Sequence, residues 1–335
     1  MARRTPTAAW AKAFERSFTA LARTNLRAGA RAAGFAVQAR AASRKPPPGE
    51  GDWIAGMAIG AAGARRYRLY RPPDARFGER LPVVVMLHGC GQDAKGFATS
   101  TRMNRIAARE RFLVLYPEQD RLANAQGCWN WFDTRSGLAF READLILKAI
   151  DQVCLLYMGD ASRVAVAGLS SGASMAALLV TRHPQRFKAV MMHSGIPPGT
   201  ADSGLTALKA MNGRMTAGPL DATPESLAAS WPALLVVHGA VDRVVAAGNA
   251  QAAVQMWAEA AGARAGAGRS VHRGQRYPMA VTDYKRGRDV VATLVEVGRL
   301  GHAWSGGAAS QAYSDAKGPD ASRMLWAFAA KQFRG

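Results

Sequence analysis

The chain has 335 residues, 49% of them hydrophobic and 20% charged, enough for one large α/β domain with a sizeable core or for two small domains. Its 44 Lys and Arg against 24 Asp and Glu give a net charge of +20, which favours contact with anionic surfaces but leaves the reaction chemistry open. Three cysteines with no Cys-x-x-Cys or Cys/His cluster argue against a disulfide framework and against a structural metal site.

The first fifty residues stand apart, with ten basic and two acidic side chains that carry +8 of the total. At about 100° per residue, Trp10, Phe14, Phe18 and Leu21 share one helical face, and Lys12, Arg16, Arg23, Arg27 and Arg31 lie opposite. That is a basic amphipathic helix, suited either to a granule or anionic surface or to packing on the protein's own core. Charges interrupt every apolar run, so no secretory signal is readable and a cytoplasmic location is expected. Lys45-Pro46-Pro47-Pro48-Gly49 reads as a stiff linker. The expected organisation is therefore an arm over 1–50 and a catalytic domain over 51–335.

From about Trp53, strands alternate with helices. Arg66 to Tyr70 reads as an edge strand ended by Pro72-Pro73. Pro82 to Leu87 is a continuous apolar run, as a strand buried on both faces requires. A helix over Thr101–Arg109 precedes a strand over Phe112–Tyr116, and a second helix over Arg141–Tyr157 precedes a strand at Val164–Ala167. Phe187–Met192, Leu234–Val237 and Val290–Val297 are further strands, the last of these expected to close the sheet, and Ser322–Phe333 is a closing helix. This alternation predicts a doubly wound, mostly parallel sheet with flanking helices, whose ligands sit at the carboxyl ends of the strands.

At one such end lies Gly168-x-Ser170-x-Gly172, between an apolar strand and the apolar helix from Met175 to Val180. This is the nucleophile-elbow pattern of α/β-hydrolases, in which a serine at a sharp turn is pushed out of the sheet. The alternative is a turn whose serine merely caps the helix. After the Pro82–Leu87 strand, His88-Gly89-Cys90-Gly91-Gln92 can turn backbone N–H groups toward that serine. The oxyanion donors are then the amides of Cys90 and Ser171. His88 braces this loop beside the substrate, because the chain order in this fold is nucleophile, acid, base. That order leaves His272 and His302 as bases. Asp242, on the loop after Leu234–Val237, is the acid, with Asp202 in reserve. His302 follows a strand in a glycine-rich loop, and His272 does not. His183 reads as structural, and His193 and His238 as pocket or loop residues. Ser170 would attack an acyl carbon, His302 relay the proton and Asp242 orient the imidazole, with no metal and no organic cofactor.

Leu87-His88-Gly89-Cys90-Gly91-Gln92, Tyr116-Pro117-Glu118-Gln119, Cys128-Trp129-Asn130-Trp131-Phe132, Gly168-Leu169-Ser170-Ser171-Gly172 and Gly301-His302-Ala303-Trp304-Ser305-Gly306-Gly307 together resemble the polyhydroxybutyrate (PHB) depolymerase family of esterases. The resemblance runs from about Tyr67 to Gly307. It implies hydrolysis of poly- or oligo-(3-hydroxybutyrate) or related short-chain esters, with feruloyl and acetyl esters of polysaccharides as the alternative. It also implies an extracellular alternative for location, as for secreted members, although neither a signal peptide nor a polymer-binding domain is readable here. The substrate-binding set is His88, Trp129, Asn130 and Trp304, while Trp131 and Phe132 read as core. Cys90 and Cys128 are placed to pair in an oxidising compartment, and Cys154 should be a buried helix thiol. A serine peptidase on the same fold and a non-catalytic basic binder stay open. No recognised nucleic-acid motif is present, and oligomeric state is not legible.

Overall fold

The computed structural model describes residues 47, 49–76, 78–218, 220 and 231–334. The amphipathic helix, and the linker but for Pro47 and Gly49, lie outside the described residues. The strands begin with β1 (Asp52–Gly60), β2 (Gly63–Arg71), β3 (Leu81–Leu87), β4 (Leu113–Pro117) and β5 (Gly159–Leu169). They continue with β6 (Ala189–His193), β7 (Ala233–Gly239), β8 (Arg264–Ala265), β9 (Arg269–Val271), β10 (Met279–Arg286) and β11 (Asp289–Val297). Two short strands, β12 (Trp304–Ser305) and β13 (Ser314–Asp315), pair with each other. The helices are α1 (Ala94–Thr101), α2 (Met103–Glu110), α3 (Leu138–Leu156), α4 (Ser171–Arg182), α5 (Gly204–Met211), α6 (Gly248–Ala261) and α7 (Ala321–Gln332).

The eleven-stranded sheet runs β1-β2-β4-β3-β5-β6-β7-β11-β10-β8, with β9 also on β10. Its middle, from β4 to β11, is parallel. Both flanks are antiparallel. Strand parity sorts the core. Val83, Val85, Val164 and Val166 pack on the face covered by α3, α4 and α6. Val84, Met86, Ala167 and Leu169 pack on the face covered by α1, α2 and α7. Two covered faces explain why β3 is apolar at every position. Among the described residues no helix is long and apolar enough to cross a membrane.

Three expectations need correction, and one flank of the sheet was missed. The strand read at Arg66–Tyr70 is not an edge, because β1 pairs along its outer side. The helix expected over Thr101–Arg109 is two helices, broken at Arg102, which adopts a left-handed φ of 54°. Its guanidinium donates to the carbonyls of Gly306 (2.6 Å) and Gly307 (2.8 Å), far along the chain, and no local pattern encodes that. β11 is the last strand of the large sheet, as expected, but the antiparallel β8–β10 flank that precedes it, in a basic, glycine-rich stretch with little apolar patterning, was not anticipated. The Cys154 thiol is half-buried rather than buried, and burial raises its pKa to about 11.

Candidate active site

β5 ends at Leu169, α4 begins at Ser171, and Ser170 alone makes the turn, with φ 56° and ψ −120°. A serine in that region carries backbone strain of roughly 1–3 kcal/mol, retained only where the surroundings over-determine it. They do so here. Ser170 N–H donates to the His193 carbonyl at 2.9 Å, and the Ser170 carbonyl accepts from Ala173 at 2.9 Å and Ser174 at 3.1 Å. The two flanking glycines are required by close approach. A Cβ on Gly168 would lie 2.2 Å from the Gly172 carbonyl carbon, and one on Gly172 would lie 2.2 Å from the Leu87 oxygen. The strand, the loop after β3 and the helix start can meet only with no side chain between them.

Two strands away, β7 delivers Asp242, and β11 delivers His302. The loops lock together at Gly239, where a Cβ would lie 2.2 Å from the Leu300 oxygen. His302 Nδ1 is 2.8 Å from Asp242 Oδ2. Asp242 Oδ1 accepts the N–H groups of Val244 (2.8 Å) and Val245 (2.9 Å), so both carboxylate oxygens are occupied. Burial alone would raise the Asp242 carboxyl, but the His302 hydrogen bond and the nearby imidazoles outweigh it and hold the pKa below its ordinary value. His238 Nε2 lies 3.5 Å from the same oxygen and 3.0 Å from the Val245 carbonyl. With Nδ1–H directed at the carboxylate, His302 Nε2 is the ring atom left with a lone pair. His302 and Ser170 line one small pocket together with Gly89, Cys90 and Tyr313.

Asp202 lies away from this group, paired with Arg135 and accepting the Thr206 hydroxyl at 3.1 Å. His272 is exposed just beyond β9.

Cys90 and Ser171 both flank Ser170, lining the neighbouring cavity with it. Ser171 opens α4, so its N–H has no intrahelical acceptor, and neither amide has an acceptor among the described residues. Cys90 and Cys128 form a disulfide, which ties the loop after β3 to the loop after β4. Beyond Ser170 lies an apolar cavity of about 410 Å³ including its open mouth, walled by Trp131, Phe132, Ile196, Ala207, Met211 and Val245.

The substrate-binding set changes. His88 is buried, with Nδ1–H donating to Gly89 O at 2.8 Å and Nε2 accepting the Gln119 N–H at 3.1 Å, so it offers a ligand nothing. Its burial lowers the pKa to about 4. Asn130 is buried against Glu142, through its N–H (2.9 Å) and its side-chain amide (2.8 Å). Trp304 packs edge-on to Phe97, with its indole N–H on Ser322 Oγ at 3.0 Å, and does not line either pocket. Trp129 keeps one side on the cavity while its indole N–H donates to the His88 carbonyl at 3.0 Å. Trp131 and Phe132, read as core, are both buried and the main aromatic wall.

The sequence reading missed what holds that wall. Glu142 on α3 also accepts from Gln119 Nε2 at 2.6 Å, and Gln119 donates to the Cys128 carbonyl at 2.9 Å. Arg65 on β2 reaches the Glu118 carbonyl at 3.0 Å, the Gln119 amide oxygen and, at 3.8 Å, Glu142 Oε1. It also lies 5.2 Å over the Trp129 ring. Arg65 is one of four arginines in β2, so nothing in the sequence marks it as the buried one.

A family model described as esterase PHB depolymerase matches residues 65–274. Feruloyl esterase B of Neurospora crassa is 26% identical over 58% of this chain and 70% of its own length. Poly(3-hydroxyalkanoate) depolymerase C of Paucimonas lemoignei is 30% identical over 52% of this chain, which spans only 44% of that protein. Among solved structures, the acetyl xylan esterase from Aspergillus awamori has a TM-score of 0.58 at 19% identity, covering 75% of this chain and 94% of its own, a likeness of fold.

Proposed function

The chain belongs to the PHB depolymerase family of esterases, and from that premise we propose that it hydrolyses carboxylic esters with Ser170 as nucleophile, His302 as base and Asp242 as its partner. The observation that carries this reading is the 2.8 Å contact between His302 Nδ1 and Asp242 Oδ2. It fixes the tautomer and leaves Nε2 to take the Ser170 proton as Oγ attacks the acyl carbon. The oxygen that becomes negative is held by the amides of Cys90 and Ser171, at the positive end of α4. His302 then protonates the departing alcohol, and the same Nε2 activates the water that frees the acid. No step requires a metal or an organic cofactor.

The apolar, narrow cavity favours a short, uncharged acyl chain, and we assign oligo- or poly-(3-hydroxybutyrate) or a related hydroxyalkanoate ester as substrate. A second reading, an aromatic acyl group such as ferulate, draws support from Trp131 and Phe132 and from the likeness to a feruloyl esterase. The Cys90–Cys128 disulfide favours the extracellular alternative over the cytoplasmic one. The division into an arm over 1–50 and a single catalytic domain over 51–335 is part of this proposal.

The test is a panel of p-nitrophenyl butyrate, 3-hydroxybutyrate oligomers, methyl ferulate, acetylated xylan and peptide anilides. Esters should be cleaved and anilides left intact, with the oligomers giving the highest kcat/KM. A preference for methyl ferulate would transfer the substrate to the second reading, and turnover of anilides alone would overturn both.

A further inference from the structure

We propose that His193 is a positioning residue for ester cleavage, its backbone fixing the nucleophile and its side chain fixing the loop that carries the base. The inference rests on the Ser170–His302 reading above.

The register of the sheet supplies the first half. β6 runs beside β5, and His193 stands opposite Leu169, the residue before the nucleophile. Its carbonyl therefore continues the ladder one step past the strand and takes the Ser170 N–H at 2.9 Å. The side chain supplies the second half. Its ring is fully buried, and Nε2 accepts the Ser305 N–H at 3.0 Å, three residues beyond His302. An accepting Nε2 puts the ring proton on Nδ1, which faces Ser194 Oγ at 3.3 Å. The imidazole also stacks on Trp304, with centroids 5.0 Å apart and planes at 28°. Trp304 is held in turn by Ser322, whose hydroxyl donates to the Thr101 carbonyl at 2.7 Å.

The base loop is thus clamped from two sides. β13 binds its outer backbone through the Trp304 N–H to the Tyr313 carbonyl at 2.8 Å, and His193 binds its inner backbone. Among these anchors, His193 is the residue that also bonds the nucleophile. The gap between Ser170 Oγ and His302 Nε2 is therefore referenced to a single residue. An apolar side chain here would leave the buried Ser305 N–H without its acceptor. A buried imidazole is favourable here only while both ring nitrogens find partners. Burial keeps it neutral, with a pKa lowered to about 3, and only the neutral ring can accept the Ser305 N–H.

The test compares His193→Phe and His193→Leu, which remove the acceptor, with His193→Gln, whose Oε1 can stand where Nε2 stood. Turnover of p-nitrophenyl butyrate is measured per active site, titrated with a fluorophosphonate. The apolar variants should lose roughly 10- to 100-fold in kcat with little change in KM, the scale expected when reacting groups are misplaced by about 1 Å. His193→Gln should recover most of that loss. A fully titratable His193→Phe or His193→Leu enzyme with wild-type kcat overturns the proposal, and so does a Gln variant no better than either. If neither apolar variant folds, amide exchange at Ser305 in the wild-type protein decides. Protection like that of a strand interior supports the clamp, and exchange at the rate of an open loop overturns it. A wild-type enzyme that the fluorophosphonate does not label at Ser170 removes the Ser170–His302 reading, and this inference with it.

Discussion

On one side of Ser170, Asp242 and His302 sit on loops pinned by backbone amides: Val244 and Val245 hold the carboxylate, and Gly239 lets the two loops pack closely. On the other side, Trp131 and Phe132 belong to a segment held by side chains from distant elements: the Cys90–Cys128 disulfide, the Trp129–His88 contact and the Arg65–Gln119–Glu142–Asn130 network. The difference teaches where chemistry and specificity are stored. On the proposed proton-transfer side, the Asp242 and His302 loops are held by their own backbone amides and by close backbone approach. The cavity side is a wall propped from behind by Arg65, Gln119 and Glu142, none of which lines the cavity.

The largest expected effect breaks the first side. Ser170→Ala or His302→Ala should cost roughly 10⁴-fold or more in turnover of a soluble ester, and the double variant little beyond that. Asp242→Asn should lose roughly 10³- to 10⁴-fold, because the asparagine amide no longer selects the working imidazole tautomer. Asp202→Asn should stay near wild type, and steady-state kinetics on the three single-site acid and nucleophile variants would expose a misassigned acid at once.

The second break falls on the wall. Glu142→Ala leaves Arg65 buried without its carboxylate, and unfolding in urea should register a loss of about 3–5 kcal/mol. Glu142→Gln, which keeps the acceptor for Asn130 and Gln119, should lose less, and its residual defect should fall on KM rather than kcat. Equal damage to kcat would mean that the two sides are mechanically one.

The pH dependence of stability sharpens the comparison, because both sides contain buried histidines whose pKa burial lowers, His88 behind the wall and His193 and His238 beside the acid. His88 has its pKa lowered to about 4 and His193 to about 3, both by burial, against 6.5 in an exposed histidine. The unfolded chain therefore binds more protons below pH 6.5. The stability these groups contribute is complete above that value and is lost as pH falls toward 4. Each should steepen the loss by about 1.4 kcal/mol per pH unit. Urea unfolding between pH 7 and 4.5 should show the slope, and His88→Gln should reduce it by one histidine's share.

The smallest expected effect concerns residues 1–45. Their removal should leave soluble-ester turnover nearly unchanged while weakening attachment to polyester granules or anionic vesicles, and rising salt should weaken the attachment of the full chain. A truncated protein that unfolds would instead assign the aromatic face of the arm to the core.

What was legible in the sequence was what is local. Runs such as Val83–Leu87 announce a strand covered on both faces, and the elbow glycines announce a backbone crossing within five residues. Asp242 and His302 are sixty positions apart, yet chain order and the strands before them single them out. What props the wall was not legible, because Arg65 and Glu142 look like ordinary polar residues and Asn130 reads as a substrate contact until the fold brings them together with Gln119. His88 and His193 illustrate the limit. Each directly follows or ends a strand near the site, as a ligand-facing histidine would, and only burial and partner atoms separate a brace from a substrate contact. The break at Arg102 was equally hidden, since its αL conformation answers to Gly306 and Gly307 rather than to its neighbours.

The position of β11 has a consequence for how the molecule comes into being. The strand that presents His302 is not an appendage at the margin of the sheet. It is wedged between β7 and β10, following the first in the chain after α6 and β8–β10 and joined to the second by a tight hairpin. A growing chain can pair β3, β5, β6 and β7 and raise Ser170 on its turn well before β11 has been synthesised. Such an intermediate would carry an exposed β7 edge and a serine without its proton acceptor. The long-range pairing that closes this gap is slow by topology, and the same event seals the open edge and would bring the proposed base to the serine. Under the proposed triad, Ser170 acquires its proton acceptor only once β11 has entered between β7 and β10.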